Sequence, residues 1–185
     1  MTYVGELGWE LTVPVDGAAT VFDALFGEGA DLGVRNAGYY TIDSLRLEKG
    51  FRAFPRELSP DYTPVEAGLV FATALKGDKP FIGREALEAL RDRLAEGGPR
   101  RRLVSFVLED PAPMLWGGEL LLRDGHPAGQ VTSAAWGETV GSSVGLAYLR
   151  SGGPVTTDSL SAGRFEVDVA GERFGVRLSL KAPLA

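Results

Sequence analysis

Two stretches of this chain carry residue types that can do chemistry as well as pack: GELGWELTVP at residues 5–14 and DSLRLEKGFRAFPRELSPDYTPVEAGL at residues 43–69. In the first, Glu10 follows Gly8 and Trp9. A glycine admits the close approach of a flat ligand, and a carboxylate accepts paired N–H donors in charge-assisted hydrogen bonds. The alternative reading of Glu10 is an exposed strand acid paired with a lysine. Glu6 stands four residues earlier, so strict alternation along a strand places both acids on one face; Glu6 then lines the same pocket or is a solvated turn residue. Tyr3 and Trp9 are candidates for stacking on an aromatic ring or for the core.

In the second stretch, Asp43 and Arg46 are three apart and adjacent on a helix face, which predicts an exposed pair worth about 0.2–1 kcal/mol. Tyr62 offers a phenol. Pro64 and Glu66 sit where the first turn of a helix favours a proline and an acid, so the TPVEAG segment reads equally as helix capping or as part of a site. His126, in a DGHP turn, has the residue type of a proton shuttle but the position of an exposed turn residue.

Composition excludes several classes. With no cysteine and one histidine among 185 residues, disulfides, thiolate nucleophiles and a histidine-built metal site are not expected. A formal charge of −6 with interspersed signs leaves no basic stripe for nucleic acid. No apolar run approaches the roughly 20 residues that span a bilayer, so no membrane partner is expected. The N-terminus lacks the basic-then-apolar order of a secretion signal, and the expected location is cytoplasmic.

The elements that must position these residues are legible in outline. Residues 3–14 read as a strand, and Val21, Phe22, Leu25 and Phe26 fall at helical spacing after an Asp16 N-cap. A second helix is predicted from Ile42 to Lys49, capped by Thr41, ended by Gly50 and presenting Ile42, Leu45 and Lys49 on one side. An irregular excursion with three prolines follows. Leu87, Leu90 and Leu94 form the apolar stripe of a helix running from about residue 80 to the glycines at 97 and 98. Beyond Arg100 six short alternating or β-branched runs are separated by turn residues, one pair forming a hairpin (120–123 and 128–133) around DGHP, which predicts a six-stranded barrel or jelly roll.

These two motifs resemble the glycine cleavage T-protein (aminomethyltransferase) family, C-terminal part, and most of all the folate domains of dimethylglycine and sarcosine dehydrogenases and oxidases. The resemblance implies an α+β chain: residues 1–79 as the C-terminal part of a central, partly ferredoxin-like folate-binding region, 80–99 as a bridging helix, and 100–185 as the family's β-barrel domain. It implies tetrahydrofolate as cofactor, without metal and without flavin in this segment. The pterin-binding acid falls on Glu10, with Trp9, Leu11, Thr12 and Tyr62 as further cofactor-binding candidates and no catalytic residue. The family's Arg and Glu of DSLRLE fall on Arg46 and Glu48, where they organise the interior and do not touch substrate. Many members place an arginine just before that string, where this chain has Ile42, as the dehydrogenase-like branch does with an apolar or small residue; Arg150 is a loose candidate for the family's C-terminal binding arginine.

Met1 stands four residues before the first motif, whereas the family carries a long folate-binding segment with the catalytic aspartate ahead of it. The expectation is therefore the C-terminal portion of a tetrahydrofolate-dependent protein that moves one carbon from an amine-derived donor to folate, inactive by itself. The competing expectation is a non-catalytic interaction or scaffold module that pairs with itself as a homo-oligomer, or with a partner supplying the missing half. A third is that the resemblance carries fold alone.

Overall fold

The computed structural model describes residues 3–94 and 97–184. Its C-terminal half is a closed antiparallel barrel of six strands: β1 (Arg101–Leu108), β2 (Leu120–Arg123), β3 (His126–Gly137), β4 (Ser142–Arg150), β5 (Phe165–Val169) and β6 (Glu172–Ser179), in the order β1-β4-β3-β2-β5-β6 with β6 closing on β1. The alternating runs place Val104, Phe106, Leu121, Val131, Leu149 and Val167 inside, where they fill the barrel. β4 is buried along almost its whole length. Its outward residues Val144, Leu146 and Tyr148 form a second cluster with Leu103 and with Leu47 of α2 (Tyr40–Glu48), which lies across β3 and β4.

Two tight turns set the register. Asp124 and Gly125, at φ 50° and 81°, and Ala170 and Gly171, at φ 53° and 92°, have the positive angles of a two-residue hairpin whose twist matches the flanking strands. The β2–β3 turn is therefore Asp124–Gly125 alone: His126 and Pro127 belong to β3, which starts two residues earlier than the expected residue 128. Pro127 lacks an amide for the ladder, and the register shifts where Leu122 faces it.

Ahead of the barrel the chain is helical and irregular. α1 (Ala18–Glu28) forms at the expected spacing, but Gly17 occupies its N-cap position and Asp16 lies in a preceding 3-10 turn. α2 begins at Tyr40, so Thr41 is inside it and caps nothing; its buried residues are Arg46, Leu47 and Glu48, not an Ile42–Leu45–Lys49 face. The strand expected over residues 3–14 is not formed. A strand needs a partner, every strand among the described residues lies in the barrel, and residues 3–7 turn while 8–14 run without a ladder. Glu6 and Glu10 consequently share no strand face.

α3 (Arg84–Arg93) keeps the half-buried Leu87, Leu90 and Leu94 stripe but is shorter than expected, since Gly83 at φ 89° blocks its extension backward. Residues 95 and 96 of the expected helix lie outside the described residues. A short α4 (Thr157–Ser161) was not foreseen; a capping box between Thr156 and Ser159 holds it. Among the described residues no helix is long and apolar enough to cross a membrane.

Candidate functional site

α2 is tied to the barrel by charged groups that are almost fully enclosed. Arg46 is 0% exposed; its Nε donates to Asp43 Oδ1 at 2.9 Å, and its Nη1 to the Phe51 carbonyl at 3.0 Å and to Glu57 Oε2 at 3.1 Å. Nη2 lies 2.8 Å from Asp43 Oδ1 as an ion-pair contact without hydrogen-bond geometry. The Asp43–Arg46 pair is thus as expected in partners but not in setting, because Arg46 is buried. Glu57, also 0% exposed, accepts further bonds from the Ala53 amide at 2.8 Å and from the hydroxyls of Thr132 at 2.6 Å and Ser133 on β3. Tyr148 on β4 donates to the Glu57 carbonyl at 2.9 Å.

Glu48, in the same last turn of α2, binds a different part of the barrel. Its Oε1 accepts the Thr139 and Val140 amides at 2.8 and 3.0 Å, capping the β3–β4 loop. Arg46 and Glu48 therefore organise the interior, as the family resemblance implied. Glu57 was not singled out from the sequence. Its signal was weak: an acid inside a loop, with every partner but Arg46 and Ala53 some 75 residues away.

The first described residues of the N-terminal stretch dock at the end of this helix. Lys49 donates to the Gly5 carbonyl at 2.9 Å and pairs with Glu6 at 2.6 Å. Burial pushes the Tyr3 hydroxyl above its ordinary pKa, with Arg46 opposing and Asp43 and Glu57 adding to the rise, which puts Tyr3 within electrostatic reach of the buried network. Trp9 is then 91% and Leu11 58% exposed, and Glu10 and Thr12 are exposed too. Trp9 is not core. The four stand together on one extended stretch in which nothing lies near the Cβ position of Gly8.

The stretch thus offers a solvent-facing carboxylate, an indole and an open glycine, the residue types that the resemblance assigned to the cofactor. Tyr62 lies elsewhere, on the outside of the barrel. Its ring stacks on Tyr148 at 3.8 Å and 9°, with the Arg101 guanidinium 4.8 Å from its centre. Arg150, at the end of β4, lines a cleft together with Tyr62 and Tyr148. Thr63 and Glu66 close an isolated turn, not a helix start: the Glu66 carboxylate accepts the Thr63 amide and hydroxyl and pairs with Arg101 at 2.8 Å. Burial by itself would raise the Glu66 pKa; the bonds from Arg101 and Thr63 outweigh it and hold the carboxyl below its ordinary value. Burial, with Tyr62 and Glu66 alongside, pushes Tyr148 far above the usual phenol range.

Models of two parts of one family match in tandem. The GCVT N-terminal domain matches residues 1–77, and the glycine cleavage T-protein C-terminal barrel domain matches residues 101–184. The chain belongs to the glycine cleavage T-protein (aminomethyltransferase) family. Within it, human mitochondrial sarcosine dehydrogenase is 42% identical over 185 residues, 99% of this chain and 20% of that protein. Human mitochondrial dimethylglycine dehydrogenase is 32% identical over 94% of this chain and 19% of its own length. The aminomethyltransferase of Corynebacterium jeikeium (strain K411) is 36% identical over 93% of this chain and 43% of its length. The crystal structure of glycine cleavage system aminomethyltransferase T from Bartonella henselae superposes with a TM-score of 0.73 at 25% identity, over 94% of this chain and 45% of that one. The chain thus spans about a fifth of the dehydrogenases it matches.

Proposed function

We propose that this chain provides one wall of a folate site and the barrel that supports it, in a tetrahydrofolate-dependent one-carbon transfer from an amine. The observation that carries this reading is the Trp9–Glu10 stretch, exposed and free of side-chain bulk at Gly8, in a chain whose two halves both match the aminomethyltransferase family. Tetrahydrofolate, when bound, supplies the N5 and N10 nitrogens that accept the one-carbon unit. Glu10 holds the paired N–H edge, Trp9 covers a ring face, and Leu11 and Thr12 continue that wall. Lys49, through Gly5 and Glu6, fixes where the stretch leaves α2. The role of these residues is positioning.

Calorimetric titration with 5-formyltetrahydrofolate tests this. Glu10→Ala should weaken binding roughly ten- to a hundredfold, the factor carried by a charge-assisted hydrogen bond of about 1.5–3 kcal/mol. No binding by either protein, both folded, would sink the folate reading.

One observation favours a second reading, a non-catalytic module that docks on another surface. No residue of α1 is buried, and Leu7, Leu32 and Tyr39 are 98%, 84% and 80% exposed. Sedimentation velocity across a hundredfold concentration range distinguishes self-pairing from a monomer that awaits a different partner.

A further inference from the structure

A cleft of about 500 Å³ opens between the start of α2, the end of β3 and the loops on either side of the β2–β3 pair, and none of the residues assigned to folate lines it. Tyr40, Met114, Trp116 and Trp136 wall it, and all four remain exposed, at 74%, 62%, 67% and 42%. Its charged groups are Asp43, Arg56 and Glu138.

Most of these groups are held in place. Tyr40 and Trp116 meet edge to face, their ring centres 6.2 Å apart at 80°. The Trp136 indole N–H donates to Glu138 Oε2 at 3.0 Å, and the Trp136 carbonyl accepts from the Ser44 hydroxyl on α2. The Trp116 amide donates to Glu119 at 2.7 Å. Asp43 is fixed by buried Arg46.

Aromatic faces carry partial negative charge and attract cations, most strongly when the cation is bulky and weakly hydrated. Two carboxylates share the cleft with those faces. The single cation lining it, Arg56, is half exposed and lies 3.8 Å from Asp43 Oδ2. We propose that this cleft binds an organic ammonium cation, its methyl groups against Trp116, Trp136 and Tyr40 and its charge offset by Glu138 and Asp43. Because Asp43 already neutralises Arg46, Glu138 carries the larger share. Arg56 opposes the cation at the rim.

The probe is tetramethylammonium chloride, added at constant ionic strength and followed by the indole N–H resonances of the three tryptophans. Trp116 and Trp136 should shift and saturate at millimolar concentration while Trp9 stays still. Neopentyl alcohol, the same shape without charge, should not saturate in that range. Trp116→Leu should weaken binding about fivefold, the factor of one cation–π contact, Glu138→Gln should weaken it about two- to fivefold by removing the counter-charge, and Arg56→Gln should tighten it severalfold. Trp116 is so exposed that its replacement leaves the fold intact, which keeps the test decisive if Glu138→Gln fails to fold. A non-saturating response, an equal response to the alcohol, or weaker binding in Arg56→Gln would overturn the proposal. The folate reading is scored on Glu10→Ala with a different ligand, so either proposal can fail without the other.

Discussion

Replacing Glu57 by leucine should unlock α2 from the barrel. The substitution removes one acceptor group that serves Arg46 Nη1 at 3.1 Å, the Ala53 amide at 2.8 Å, Thr132 at 2.6 Å and the Ser133 hydroxyl. Some partners have a second choice: Thr132 keeps the Leu146 carbonyl at 3.0 Å, and Arg46 keeps Asp43 and the Phe51 carbonyl. The Ala53 amide and the Ser133 hydroxyl lose their bond to that carboxylate, and Arg46 loses one of two carboxylates while remaining 0% exposed. Stranding one partner of a buried pair costs about 3–5 kcal/mol, and about 4 kcal/mol in a chain of this size lowers Tm by roughly 8–16 °C. Arg46→Met should cost less, because Glu57 would still accept from Ala53, Thr132 and Ser133. The double variant should be more stable than Glu57→Leu by more than about 1 kcal/mol, since the fully buried guanidinium is then gone and the partly exposed Asp43 keeps Arg56 at 3.8 Å. Urea unfolding followed by tryptophan fluorescence and far-UV circular dichroism measures all three. A Glu57→Leu loss under about 1 kcal/mol, or strictly additive single effects, would refute the idea that this network locks the helix down.

Acid should act through Glu66: its folded pKa is depressed, so its contribution is complete above the ordinary carboxyl value of 4.5 and disappears as pH falls through the folded value. Stability against pH should flatten there in Glu66→Gln, and an unchanged slope would count against it. Tyr148 has the opposite sign: a phenol whose folded pKa lies above the ordinary 10.0 stabilises fully below pH 10 and loses that contribution as pH rises further, a limb that Tyr148→Phe should remove. Gly145→Ala should cost about 1–3 kcal/mol by overpacking, because a Cβ there meets the Ser133 carbonyl and the Phe106 ring. Leu25→Asp on α1 should change stability by less than about 0.5 kcal/mol, since no residue of that helix is buried; a larger loss in chemical denaturation would mean that α1 packs in solution.

What the amino-acid sequence determined by itself was whatever local period and turn chemistry control. The six strands followed from alternation, the β2–β3 hairpin from Asp124–Gly125 and the α3 stripe from leucines at helical spacing, whereas the interior roles of Arg46 and Glu48 came only from the family resemblance of the DSLRLE string. The tertiary structure decided the rest, because the deciding forces act across long separations. Residues 3–14 have a strand-like pattern, yet a strand exists only where a ladder partner does, and none adjoins them among the described residues. Asp43–Arg46 looked like an exposed helix pair until packing against β3 and β4 buried Arg46 and brought Glu57 to it as a second carboxylate. Tyr62 and Glu10, both assigned to one ligand by the resemblance, are held by different surfaces: Tyr62 by the Tyr148 ring, Glu10 by a stretch whose Gly5 and Glu6 meet Lys49. The aromatic cleft of Tyr40, Trp116 and Trp136 had no sequence signal, because residues 76 and 20 positions apart become neighbours only once the barrel closes beneath α2.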